Sequence, residues 1–303
     1  MSRPLASIVR TFGVEPDAIR LISHARNTHW RVSAGARRYV LRRFGHWSTT
    51  EGDVAWEVDV LRRLASHGLP VAAPLGDPQE IDGGTWLLMP WLAGRRQSPN
   101  PSTDAEYRRL GALLAEVHAV TREIPPPAQR PGWSLQIDGA FPLAGGAERR
   151  AELLTELAKV DPGMAERFGE AAERLEARNL PAAFAGAPRM IVQGDFAPWN
   201  VRVTAGRLTG LLDFDLAHVD VRAGDVALGR RGYHDAVVEG YLEHATLSEV
   251  ELANLDGLWT GGSLNGVWRV IEDRLAEDRL TTHGLEWNLE QLDKTRPYQP
   301  AAR

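Results

Sequence analysis

The 303-residue chain has no cysteine, which excludes disulfides and thiolate metal sites and makes a reducing cytoplasm the expected compartment. Long apolar runs are also missing. No stretch reaches the ~20 residues of a membrane helix, and Met1 to Arg20 alternates charged and apolar residues where a signal peptide would carry an apolar core. Positive charge is short as well, with 35 Lys and Arg against 40 Asp and Glu. The resulting net charge of −5 argues against nucleic acid as the main partner. The nine histidines show no zinc spacing, and there are neither repeats nor coiled-coil heptads. What is present is an ordinary globular composition, 43% hydrophobic and 25% charged with ten tryptophans, long enough for two lobes.

Chemistry concentrates in one region. Gln193-Gly194-Asp195-Phe196-Ala197-Pro198-Trp199-Asn200 is followed at Leu211 by Leu-Leu-Asp-Phe-Asp. Between them lie two β-prone runs, Val201 to Thr204 and Leu208 to Leu212, and Gly206-Arg207 is a Gly-X pair of the kind that closes a type II′ hairpin. Counting outward from that turn, an unbulged ladder sets Ala205 against Leu208, Val201 against Leu212 and Asn200 against Asp213. A carboxamide oxygen and a carboxylate then arrive side by side at the open end, a donor set suited to Mg²⁺ bound with substrate phosphates. Asp195 precedes Asn200 in a loop that Gly194 and Pro198 keep from becoming helix, so it can face the same phosphate without serving as a metal ligand.

These residues resemble the aminoglycoside phosphotransferase and choline kinase family, whose catalytic loop reads His-Gly-Asp, four variable residues, then Asn, with an Asp-centred metal motif one hairpin later. Arg222-Ala223-Gly224-Asp225-Val226-Ala227 is similar to the family segment whose Asp braces the catalytic loop. Tyr39 to Arg43 resembles the phosphate-contacting strand, and Glu57 heads a helix ending at His67-Gly68-Leu69-Pro70. Trp86 to Gly94 resembles the strand and hinge that hold adenine.

The resemblance, covering roughly residues 15 to 280, implies a small-molecule kinase. Its α+β fold would be two-lobed and protein-kinase-like, with a five-stranded antiparallel N-lobe carrying one helix (1–92) and a mainly helical C-lobe (93–303). ATP or GTP would bind between the lobes, its base against Met89, Pro90, Trp91 and Leu92 and its phosphates near Arg42 oriented by Glu57. Asn200 and Asp213 would hold Mg²⁺, and Asp195 would accept the proton of an acceptor hydroxyl.

Two departures stand out. Gln193 occupies the usual His position and can supply a comparable loop-holding hydrogen bond as a donor. The phosphate-covering turn, Ser23-His24-Ala25-Arg26-Asn27, contains no glycine, so Arg26 or Asn27 is expected to reach in by side chain. Arg37, Arg38 and Arg43 are expected to be solvated.

A coarse pass places strands near Ile19–Ser23, His29–Ser33, Arg38–Arg43, Ala72–Leu75 and Thr85–Trp91, and a helix from about Thr50 to His67 with Val54, Val58, Leu61 and Ala65 buried. Ala93 to Pro101 is a linker, and Ser102 or Thr103 caps a helix reaching about Val120. Glu123 to Gly146 is a Pro- and Gly-rich loop in which Trp133 and Phe141 anchor the chain or line an acceptor pocket. Helices follow near Ala147–Val160, Gly163–Arg178, Asp235–His244, Ser248–Trp259 and Leu264–Leu280.

Tyr233 to Arg303 holds 13 acidic against 6 basic residues, a balance that suits a cationic acceptor or forms a solvated helix face with i to i+4 pairs. An aminoglycoside or related antibiotic is the first expectation for the acceptor. The alternatives are homoserine, choline or a sugar, and a kinase-like binding module if the departures reflect lost catalysis.

Overall fold

A computed structural model of the chain describes residues 4–24, 27–45, 51–97, 103–132 and 146–300. The elements in order are α1 (Leu5–Arg10), β1 (Ala18–His24), β2 (Thr28–Ala34), β3 (Arg37–Arg43), α2 (Asp53–Ser66), β4 (Gln79–Ile81), β5 (Gly84–Pro90), β6 (Arg95–Arg96), α3 (Asp104–Thr121), α4 (Gly146–Ala158), α5 (Pro162–Ala177) and α6 (Leu180–Ala183). They continue with β7 (Met190–Val192), β8 (Val201–Thr204), β9 (Arg207–Leu211), β10 (His218–Asp220), α7 (Ala223–Arg230), α8 (Asp235–Leu242), α9 (Glu249–Ala253), α10 (Leu255–Ala276) and α11 (Leu285–Lys294). The chain divides into two compact units. One comprises Met1–Gln97, Arg130–Gly132 and Trp199–Asp215, the other Ser98–Gln129, Trp133–Pro198 and Leu216–Arg303.

The first unit is built on an antiparallel sheet of order β1-β2-β3-β5-β4. Period-two alternation divides its side chains between two helices. Tyr39, Leu41, Trp86 and Leu88 pack with Ile8 and Val9 of α1, while Leu87 packs with Phe44 and Val58 of α2. Arg42 therefore lies on the α2 face. On α2, Val58 and Leu61 are buried as the spacing predicts while Val54 and Ala65 are only half-buried, and the buried face includes Trp56, Val60, Leu64 and the carboxylates Asp53 and Glu57.

The expected strand at Ala72–Leu75 does not form. Pro74 removes a ladder donor, Val71 makes only an isolated bridge to Leu211, and the fifth strand is β4. A second, three-stranded sheet of order β6-β8-β9 completes this unit.

The second unit is helical around the β7–β10 pair. Thr103 caps α3 through a capping box with Glu106. Helices α3 and α8 approach until backbones touch: a Cβ on Gly111 would lie 1.9 Å from the Val237 carbonyl oxygen, and one on Gly240 1.9 Å from that of Arg108. Where two helices were expected from Ser248 onward, a Ser248–Glu251 capping box opens the short α9, Asn254 interrupts, and α10 runs unbroken through Gly261-Gly262. Helices α1, α6, α7 and α11 were not anticipated. No described helix is long and apolar enough to cross a membrane. The expectations on Thr50, Ser102, Trp133, Phe141 and 98–101 lie outside the described residues.

Candidate active site

The catalytic loop begins where the buried strand β7 ends. Gly194 takes φ +80°, and a Cβ there would lie 2.0 Å from the Leu216 carbonyl oxygen, so only glycine fits. The backbone N–H groups of Gln193 and Gly194 donate to the carboxylate of Asp225 at 2.7 and 2.8 Å. That carboxylate is fully buried in the first turn of α7, where the helix dipole favours negative charge. His118 Nε2 lies 3.4 Å from Asp225 Oδ2, and His118 Nδ1 is 3.0 Å from the Tyr241 hydroxyl.

Gln193 is also buried, and its Oε1 accepts from the Asp195 N–H at 2.8 Å. Through that oxygen it holds the loop as an acceptor. The Asp195 carboxylate is about one-third exposed and lies 3.4 Å from Arg231 Nη2. Arg231 caps α7 in the left-handed conformation, with its guanidinium over the Trp259 ring. Burial pulls that guanidinium below its usual range, and Asp195 opposes the shift.

In the first unit the β8–β9 hairpin differs from its expected register. The turn residues are Ala205 and Gly206, at φ +48° and +81°, the signature of a type I′ turn and not the II′ turn expected at Gly206-Arg207. Thr204 pairs with Arg207 and Val203 with Leu208, a bulge follows, and Val201 pairs with Leu211. Type I′ twist matches that of the strands, which offsets the strain of a non-glycine residue at positive φ.

The open end is consequently one residue out of the expected register. The Leu212 N–H donates to the Asn200 carbonyl oxygen at 2.9 Å, and Asp213 follows in the left-handed region at φ +60°. Asn200 is buried and Asp213 exposed. Their side chains offer one carboxamide and one carboxylate oxygen, which fits Mg²⁺ held by one or two protein oxygens together with phosphates. Among the described residues no group of three or more His, Asp or Glu converges on a metal position.

Arg42 and Glu57 come together. Arg42 Nη1 donates to Glu57 Oε1 at 2.6 Å, and Arg42 Nη2 lies 2.6 Å from Asp215 Oδ1. Burial opposes the charge on Arg42, but the carboxylates of Asp215 and Glu57 outweigh it and raise the group above its usual range. Arg37, Arg38 and Arg43 are exposed, as expected. Asn27, expected to reach toward phosphate, is buried; it donates to Asp215 Oδ2 and accepts from the Gly45 N–H. Ala25 and Arg26 lie outside the described residues.

Arg130 pairs with Asp53 and, at 3.1 Å, with Glu57, and three members of this cluster were not found from sequence. Asp215 was within reach as the second carboxylate of Leu-Leu-Asp-Phe-Asp. Asp53 and Arg130 carried no signal, Arg130 being a lone cation in a proline-rich stretch.

Met89, Pro90, Trp91 and Leu92 close β5 and continue past it. Met89 pairs with Val40 and Pro90 with Tyr39, and the Trp91 N–H donates to the Arg38 carbonyl. On the opposite edge β4 reaches only Trp86 and the Leu75 N–H closes Leu88. Among the described residues Met89 to Leu92 have no ladder partner on that side. Such an edge can hydrogen-bond a planar base. Of the expected site residues, Asp195 belongs to the second unit and the others to the first.

A family model described as Phosphotransferase enzyme family matches residues 18–257. An uncharacterized protein of Deinococcus radiodurans is 30% identical over 86% of this chain and 81% of its own. Homoserine kinases of Granulibacter bethesdensis and Methylobacterium radiotolerans are 25% and 27% identical, over 70% and 71% of this chain and 67% of theirs.

Among solved structures, an amicoumacin kinase in complex with AMP-PNP, Ca²⁺ and Ami aligns with TM-score 0.67 and 16% identity over 97% of this chain and 95% of its own. A thermostable mutant of aminoglycoside phosphotransferase APH(4)-Ia, in ternary complex with ADP and hygromycin B, gives 0.63 and 17% over 95% of each. A microcompartment-associated aminopropanol kinase gives 0.60 and 14% over 95% and 94%. These likenesses show the fold, a two-lobed kinase-like α+β architecture.

Proposed function

The chain belongs to the phosphotransferase enzyme family and is a small-molecule kinase, and from that premise we propose that it moves the γ-phosphate of ATP or GTP to a hydroxyl of an amine-bearing molecule. The observation that carries this reading is the clamped catalytic loop. Asp225 grips two successive N–H groups, Gly194 fits where no other residue does, and Gln193 fixes the N–H of Asp195. The carboxylate of Asp195 is thereby oriented while staying partly open to solvent.

In the proposed step Asp195 orients the acceptor hydroxyl and takes its proton. The hydroxyl oxygen forms a bond to the γ-phosphorus as the bond from that phosphorus to the bridging oxygen breaks, and the nucleoside diphosphate leaves with the electron pair. Arg42 faces the phosphates, held in line by Glu57, and the edge of Met89 to Leu92 holds the base. Asn200 and Asp213 would hold Mg²⁺, which when bound neutralises charge on the phosphate oxygens. Alignment and charge neutralisation supply most of the acceleration, because the loose transition state of phosphoryl transfer asks for little covalent chemistry.

Amine-bearing acceptors are favoured because the aminoglycoside and aminopropanol kinases on the same fold and the homoserine kinases among the relatives share that chemistry by name. An aminoglycoside remains the first acceptor to test. Homoserine is the second, favoured by the several homoserine kinases that align over most of the chain. The test is transfer of labelled γ-phosphate across a panel of aminoglycosides, amino alcohols and neutral sugars, with and without Mg²⁺. Metal-dependent labelling of an amine-bearing alcohol supports the reading; nucleotide binding without turnover on any acceptor favours a binding module.

A further inference from the structure

Arg130 is buried, yet it stands in a proline-rich stretch between Gln129 and Pro131. With Pro131 and Gly132 it joins the first unit, while the residues on both sides belong to the second. Each of its three guanidinium nitrogens donates. Nε reaches Asp53 Oδ1, Nη2 reaches Glu57 Oε2 at 3.1 Å, and Nη1 reaches the carbonyl oxygens of Phe214 and Asp215 at 3.0 and 3.1 Å. Its plane also lies 5.4 Å from the Trp56 ring.

The acceptors fall into two groups. Asp53 and Glu57 stand one turn apart on α2, and the two carbonyls belong to the residues immediately after Asp213. Arg130 therefore ties α2 to the segment that follows the metal-side carboxylate. The remaining oxygen of Glu57 and one oxygen of Asp215 both hold Arg42, which closes a ring running Arg42, Glu57, Arg130, the 214–215 backbone, Asp215 and back to Arg42. A rigid fork of five N–H groups can span such a set; a lysine ammonium, a single point donor, cannot. Asp213 sits in a left-handed conformation that is uncommon for a non-glycine residue and tolerated best by Asn and Asp, and the carbonyls gripped by Arg130 are the next two along the chain.

We propose that Arg130 is a positioning residue for the phosphate side of the reaction, fixing the backbone after Asp213 and, through Glu57, the aim of Arg42. The inference rests on the kinase reading above. The test uses the full chain and records the rise in melting temperature produced by ATP as Mg²⁺ is increased, with kcat and KM for ATP measured alongside.

Arg130→Lys is expected to raise the Mg²⁺ concentration at half-maximal shift by about 10-fold or more, as when an outer support of a metal ligand is removed, and to raise KM for ATP. A lower melting temperature of the free protein with an unmoved Mg²⁺ midpoint and KM would mean a merely structural role and overturn the proposal. Should Arg130→Lys not fold, Asp53→Asn, which loosens the same clamp from the α2 end, decides in its place: a raised midpoint supports the proposal and an unchanged one overturns it. Absence of any Mg²⁺-dependent shift in the wild type removes the kinase reading and this inference together, whereas a normal wild type with an unmoved variant removes only the role of Arg130.

Discussion

Gly194 and Glu57 each make one substitution unusually informative. Gly194→Ala would combine a strained backbone with a Cβ driven into the Leu216 carbonyl. Together these are expected to lower stability by about 1–3 kcal/mol and to reduce turnover by displacing Asp195; urea unfolding and steady-state kinetics on the same sample check both. Glu57 is the common partner of two buried guanidiniums, so Glu57→Gln removes one charged partner from each, while Arg42 keeps Asp215 and Arg130 keeps Asp53. The expected loss is about 1.5–3 kcal/mol, the size of a weakened hydrogen bond to a charged group, and equal unfolding midpoints for variant and wild type would show that the ring does not act as a unit. The Arg42–Glu57 pairing, which forms, was legible from the order of strand and helix that the resemblance implies. Arg130 was not, because its role depends on a fold that returns three residues of a loop to the first unit, and no local pattern encodes that return.

The β8–β9 hairpin and the α3–α8 pair show what sequence conveys about elements and what it does not. Both strands of the hairpin were evident from β-branched runs around a glycine, yet the register was missed. Placing the turn one residue early requires Ala205 at positive φ, which propensity disfavours and only the twist of the finished ladder rewards. The strand at Ala72–Leu75 failed for the opposite reason, since Pro74 was a visible objection to it. The capping box at Thr103 falls on one of the two expected caps and that at Ser248 where a helix was expected to begin, whereas the division at Asn254 was masked by an apolar period running through it. Between α3 and α8, Gly111 and Gly240 are sites of backbone contact. Alanine at either is expected to push the helices apart and to lower the melting temperature, by about 1–3 kcal/mol in stability, while an alanine at Gly266, whose Cβ would meet nothing within 4 Å, serves as the control that should not.

Charge and pH act on the molecule as a whole. At least nine of the 13 carboxylates from Tyr233 onward form ion pairs, many with arginines from outside that stretch, such as Arg108, Arg149, Arg178 and Arg222. The acidic excess is thus largely internal, and raising ionic strength from about 0.01 to 0.15 M is expected to change KM for a cationic acceptor little; a steep rise in KM would show that a free acidic field attracts it.

Protonation follows from burial. Burial, with Arg42 adding to it at His29 and Arg231 at His234, lowers both histidines from 6.5 to about 4. Below 6.5 the unfolded chain binds protons that the folded one does not, so stability is full above that pH and is lost progressively as pH falls toward 4. Melting temperatures between pH 7.5 and 4.5 should trace this fall, less steeply in His29→Gln.

Phosphoryl transfer with Asp195 as the proton acceptor is tested by comparing wild type with Asp195→Asn for transfer of labelled γ-phosphate to the best acceptor of the panel. The expected result is unchanged nucleotide binding and melting temperature with kcat reduced by about 10² to 10⁴. Near-wild-type kcat in a stably folded Asp195→Asn would contradict it.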